Sequence, residues 1–200
     1  MEWSVRPAAP DAAPTVREIA RESWHAAYDE FLSPETVDEV TDEWYAIDAL
    51  EDSIAAALER SDRTFLLAVP NAAGETNAMD ADESSATGGD DGASAMGADD
   101  AASATDVAGF AHAGVPKDAD AATLFRLYVR TDLWGEGAGT ALLERVETDL
   151  RPVCDRLRLT AFAANAVGVS FYESAGFERL ETRASDLGDG LEERVYEKGL

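Results

Sequence analysis

The sequence predicts an α/β domain of the α+β kind: a mixed, mostly antiparallel sheet flanked by helices. Three observations carry this. Short β-type apolar runs alternate along the chain with amphipathic segments of helical period. Two of those runs, residues 64–69 and 107–114, stand on either side of a low-complexity stretch, as the arms of a hairpin would. A third run ending at Leu127-Tyr128-Val129 stops at a glycine-rich turn and leads into an amphipathic helix, so strand and helix must lie in adjacent layers.

Residues 3–6 read as a first strand, closed by Pro7 and Pro10. Asp11 is placed as the N-cap of a helix with Pro14 in its first turn, and Val16, Ile19, Ala20, Trp24 and Ala27 follow at helical spacing. Ser33-Pro34-Glu35 marks another helix start, and residues 47–58 carry a further amphipathic pattern. The strand at 64–69 ends at Pro70. Residues 71–105 are mainly Ala, Gly, Ser, Thr and Asp, with no aromatic, Lys or Arg. Such a stretch buries too little surface to offset its ordering entropy and is expected to be a disordered, acidic insertion within one domain spanning 1–200. Strands are expected at 107–114, 122–129, 157–163, 177–182 and 194–198. Helices are expected at 137–150, with Leu142, Leu143, Val146 and Leu150 buried, and at 167–174, ended by Gly176. The coarse order is β-α-α-β-β-β-α-β-α-β-β.

Composition narrows the function classes. Asp and Glu number 41 against 16 Lys and Arg, for a net charge of −25, and Lys117 and Lys198 are the only lysines. Nucleic-acid backbones call for clustered cations, so that partner is excluded. An acidic coat with few lysines is usual in proteins adapted to high salt, and it could also attract cationic acceptors. The lone Cys154 allows no internal disulfide and reads as a structural thiol. No run reaches the ~20 apolar residues of a membrane span, and the first residues lack a secretory pattern. A cytoplasmic protein that touches no membrane is the expectation. Two distant histidines and one cysteine offer no metal site.

The chemistry centres on Trp134-Gly135-Glu136-Gly137-Ala138-Gly139-Thr140. Glycine lets backbone approach a ligand closely, and a helix start adds free N–H donors and partial positive charge, so the run is a phosphate cradle. A P-loop needs Lys-Ser or Lys-Thr after its last glycine, whereas Gly139 precedes Thr140-Ala141. A dinucleotide fingerprint needs a third glycine where Thr140 stands. Beyond the next strand come Asn165, Phe171-Tyr172 and Gly176-Phe177.

This order of motifs resembles the GNAT acyltransferase superfamily, whose cofactor signature is Gln/Arg-x-x-Gly-x-Gly/Ala followed by Asn, Phe-Tyr and Gly-Phe. Trp134 departs from it at the Gln/Arg position. The resemblance implies a sheet splayed between its two central strands and acetyl transfer from acetyl-CoA to the primary amine of a small molecule or protein. The pantetheine arm would pair with backbone of Leu127, Tyr128 and Val129. The pyrophosphate would rest on the turn from Trp134 and Gly135 through Gly137, Ala138, Gly139 and Thr140, with Arg130 the nearest cation. Asn165 would contact the cofactor or cap the next helix. Tyr172 would be the general acid toward the leaving thiolate, a phenol being neutral at working pH yet able to donate. Relatives that acetylate ribosomal-protein N-termini carry a glutamate where Thr160 stands, which speaks against that substrate. Glu22, His25, Asp29 and Glu30 are the base candidates, beside a water relay. The aromatic set Trp24, Tyr28, Phe31, Trp44 and Tyr45 either lines the acceptor pocket or packs the core, and His112 reads as structural. Homodimerisation stays open, as does a non-catalytic acyl-CoA-binding module.

Overall fold

The computed structural model describes residues 1–71, 106–188 and 190–200. All of the expected insertion except Asn71 lies outside them. The chain runs β1 (Trp3–Pro7), α1 (Ala13–Tyr28), α2 (Pro34–Trp44), α3 (Ile47–Glu59), β2 (Arg63–Pro70), β3 (Gly109–Gly114), β4 (Ala122–Val129), α4 (Ala138–Leu150), β5 (Arg156–Phe162), α5 (Ala166–Ser174), β6 (Glu178–Ala184) and β7 (Glu192–Gly199). Three helices therefore stand between β1 and β2, not two. The chain breaks at Tyr45 and Ala46, and the amphipathic pattern beginning at Ile47 is a helix in its own right.

Side-chain caps mark the starts of α2 and α5 but not that of α1. Ser33 caps α2, its Oγ accepting from the Thr36 N–H at 3.1 Å. Asp11 does not cap α1. A 3₁₀ turn at Pro10–Ala12 feeds the helix, Ala12 is already in the αR conformation, and no side chain caps the first turn.

The seven strands form one sheet in the order β1-β2-β3-β4-β5-β7-β6. Every pairing is antiparallel except β4 with β5. That parallel pair holds only at Ala122↔Leu157 and Thr123↔Arg158, after which β4 and β5 diverge and leave a gap in the middle of the sheet. β4 also carries a bulge. His112 lies opposite Arg126 and Ala113 opposite Leu124, so Phe125 is the extra residue.

Apolar side chains close both faces. On one, α1 to α3 pack Val16, Ile19, Trp24, Leu50 and Ile54 against Phe65, Leu67 and Phe110. On the other, Leu142, Leu143, Val146 and Leu150 of α4 meet Leu66, Ala111 and Leu157, the face that the helical spacing predicts. Each such leucine contributes about 1.5–3 kcal/mol by leaving water. The edge strand β6 is exposed throughout, and its alternating charges (Glu178, Arg179, Glu181, Arg183) discourage pairing with another sheet.

Candidate active site

The gap between β4 and β5 opens into a cleft of about 430 Å³. Leu127, Tyr128, Val129, Trp134, Gly135, Gly137, Ala138, Gly139, Thr140, Asn165 and Tyr172 all line it, so the fold gathers every residue that the sequence singles out for cofactor binding or proton donation. Ser23, Ala27 and Tyr28 of α1 close one side, and Thr160 of β5 lies opposite.

The floor is β4 backbone. Neighbouring residues of a strand turn their N–H and C=O groups to opposite edges. The Tyr128 carbonyl faces β3, close enough that a Cβ on Gly109 would sit 2.5 Å from it. Leu127 and Val129 therefore face the gap, while Tyr128 borders the cleft without offering it main-chain groups. The Val129 carbonyl is engaged: Ser23 Oγ donates to it at 3.2 Å and Trp134 Nε1 at 2.8 Å. Trp134 thus ties the glycine turn to the end of β4. The Leu127 N–H and C=O and the Val129 N–H remain directed at the gap.

The turn into α4 depends on glycine. Gly135 and Gly137 have φ of +82° and +92°, which L side chains rarely adopt. Gly137 is the residue before the helix, and the first intrahelical bond runs from Ala141 N to Gly137 O at 3.0 Å. The N–H groups of Ala138, Gly139 and Thr140 precede that bond and lack a helix acceptor. At Gly139 a Cβ would stand 3.5 Å from the Phe171 ring, an ordinary van der Waals contact, so the turn's need for glycine rests on Gly135 and Gly137. Trp3, from the far end of the chain, donates its indole N–H to Glu136 O at 2.7 Å and pins the turn. Nothing in the sequence near Trp3 signals this. Arg130 does not serve the cradle. Its Nε donates to Val107 O at 2.9 Å and its Nη1 lies 3.4 Å from Glu18 and 3.5 Å from Glu22.

Asn165 caps α5 through Oδ1, which accepts from Gly168 N at 2.9 Å, and its Nδ2 reaches the Tyr28 hydroxyl at 3.4 Å. Capping and cleft-lining hold together. Gly168 allows it, because a Cβ there would sit 2.7 Å from Asn165 Nδ2. Burial pushes the Tyr28 phenol up to about 12, against the easing effect of the Asn165 bond. Burial, with Tyr28 and Tyr45 nearby, holds the Tyr172 phenol well above its usual value. Tyr172 therefore stays protonated across the working pH range.

The expected base candidates do not reach the cleft. Glu22 accepts from Thr131 Oγ1 at 2.8 Å, and none of Glu22, His25, Asp29 and Glu30 lines the opening. His25 sits between Asp29 and Asp38, at 2.9 and 3.0 Å from its two ring nitrogens. Burial pulls its pKa down, but those two carboxylates outweigh it and hold the imidazole above its usual value. The described lining contains no Asp, Glu or His. Of the aromatic set only Tyr28 borders the cleft. Trp24 and Tyr45 are buried, joined by a 3.2 Å bond from Trp24 Nε1 to the Tyr45 hydroxyl.

Among the described residues no group of three or more His, Cys, Asp or Glu could hold a metal ion, and no helix is long and apolar enough to cross a membrane. The sequence model of the acetyltransferase (GNAT) family matches residues 15–177. A search of curated proteins finds no match. Among solved structures, the chain resembles the PaiA N-acetyltransferase of Thermoplasma acidophilum, solved with coenzyme A, at 23% identity, full coverage of both chains and a TM-score of 0.73. It also resembles a GNAT-family acetyltransferase of Streptococcus pneumoniae, at 16% identity, full coverage of both and a TM-score of 0.64. A third is the ribosomal-protein-S18-alanine N-acetyltransferase of Escherichia coli, at 18% identity, 99% and 94% coverage and a TM-score of 0.57.

Proposed function

The chain belongs to the acetyltransferase (GNAT) family, and we propose that its cleft binds acetyl-CoA and directs the acetyl group to a primary amine. One observation carries this reading: unpaired β4 backbone, a helix start with free N–H groups, and a protonated Tyr172 converge on a single opening. The N–H groups of Ala138, Gly139 and Thr140, which lack a helix acceptor, suit a pyrophosphate. Leu127 and the Val129 N–H suit the amides of the pantetheine arm, and Asn165 borders the same path. Acetyl-CoA supplies an acyl group already activated as a thioester. Tyr172 holds the proton that a departing thiolate needs.

With no carboxylate or imidazole in the described lining, the acceptor's ammonium gives its proton to water. Activity should therefore rise with pH toward the amine's own pKa, following the acceptor and not an enzyme group near neutrality. Thr160 in place of a glutamate argues against the ribosomal-protein alanine substrate named for the Escherichia coli neighbour. The same lack of a base favours one second reading, a module that binds acyl-CoA without turnover. The acidic surface fits a protein working at high salt.

A panel of amines assayed for free thiol release, with product masses, separates the two readings. Amine-dependent thiol release with an acetylated product supports transfer. Acetyl-CoA binding with no release by any amine supports the module.

A further inference from the structure

A second cavity, of about 260 Å³, lies where the start of β2, the end of β3 and the first half of β4 meet. It shares only Phe125 and Arg126 with the cleft. The β4 bulge builds it. In a regular strand residues 125 and 126 would point to opposite faces; the extra residue brings both to the His112 side. The His112 ring is held between Phe65, with centroids 4.9 Å apart, and Phe125, at 5.0 Å.

Among the described residues, three buried side-chain atoms lack a hydrogen-bond partner: Arg63 Nε, His112 Nδ1 and Arg126 Nη1. All three belong to residues lining this cavity. Arg126 has no carboxylate partner among the described groups, and Arg63 has only Asp62, beyond hydrogen-bond distance of its Nε. Arg126 spends Nη2 on the Trp44 carbonyl at 2.8 Å and rests its guanidinium 4.7 Å from the Tyr45 ring centre. Arg63 stands 3.7 Å from Asp62, whose carboxylate is already held by Arg60 at 2.8 Å. Burial first, then the charges of Arg126 and Arg63, push the His112 imidazole down to about 3, so it is neutral and able to present an Nδ1–H. Both arginines are half-buried, yet these three atoms are cut off from water and have no acceptor, a lack that a bound anion would make good.

We propose that this cavity binds a small organic carboxylate, its head on Arg63 Nε, Arg126 Nη1 and His112 Nδ1 and its apolar body against Phe125, Val115 and Pro116. The apolar walls and the room beyond the three donors favour an organic acid over a bare inorganic ion. Asp62 already faces Arg63, so one guanidinium charge is left uncompensated, which matches a monoanion.

The chain has two histidines, so ring NMR of the full-length protein reads the site directly. Benzoate and inorganic phosphate are titrated separately, at ionic strength fixed with chloride. Benzoate should shift the His112 ring signals saturably and leave those of His25 in place. Arg63→Gln should weaken benzoate about tenfold or more. Val115→Phe, which fills the cavity without touching a donor, should do likewise. The proposal is overturned by the lack of a saturable His112 shift, by unchanged affinity in both variants, or by phosphate producing the shift where benzoate does not.

Discussion

Asn165 reaches into the cleft only because residue 168 has no side chain. In Gly168→Ala the new methyl would lie 2.7 Å from Asn165 Nδ2 and force the amide away from both Tyr28 and the helix start. Losing the cap costs about 1 kcal/mol, while alanine in place of glycine within a helix returns nearly as much. Thermal stability should therefore change little, and the KM for acetyl-CoA should rise several-fold with kcat less affected. Asn165 and Tyr172 were legible in the sequence because the family resemblance marks their positions. Gly168 was not, because its role is to leave room for a neighbour. His112 adds a pH dependence of definite sign. It is neutral when folded down to about pH 3, whereas the unfolded chain takes up its proton near the reference value of about 6.5. Its share of stability is complete above that value and is lost as pH falls toward 3. In buffer free of organic acids, wild type should lose about 3 kcal/mol relative to His112→Phe between pH 7 and pH 4, measured by denaturant unfolding.

Helix α4 and its entry turn form the element on which cofactor binding rests. With φ of +92° at Gly137, Gly137→Ala should cost about 1–2 kcal/mol and lower the melting temperature. It should also weaken acetyl-CoA binding in calorimetry, since relieving the strain rotates the turn's N–H groups. An unchanged affinity would show that the turn does not hold the phosphates. The turn, β4 and the buried face of α4 were readable from glycine spacing and apolar period. The base candidates failed for a reason of helix geometry. Ser23 and Ala27, four residues apart, face the cleft from α1 and put Glu22 and His25 on other faces of the same helix, with Asp29 just past its end. The β4 bulge left no mark in the sequence, because a run of apolar and charged residues reads the same with or without an unpaired Phe125. The direction Arg130 takes was not legible because its acceptors, Val107 O, Glu18 and Glu22, are distant in the chain.

At the scale of the whole molecule, the net charge of −25 sets the dependence on salt. Mutual repulsion of that size opposes the compact state and is screened as ionic strength rises. The melting temperature should climb steeply between low and molar salt; a flat response would remove the case for an acidic coat suited to brine. The mixed sheet was legible because strand, turn and helix signals agreed in order, whereas its splay came only with the family resemblance. The second cavity was not, because Arg63, His112 and Arg126 meet only through strand register. Acetyl transfer assisted by Tyr172 is tested most directly by thiol release from Tyr172→Phe with a reactive amine. The expected result is a fall in kcat of about 100-fold with acetyl-CoA affinity preserved. Release at the wild-type rate, or no amine-dependent release by the wild-type protein, would contradict it.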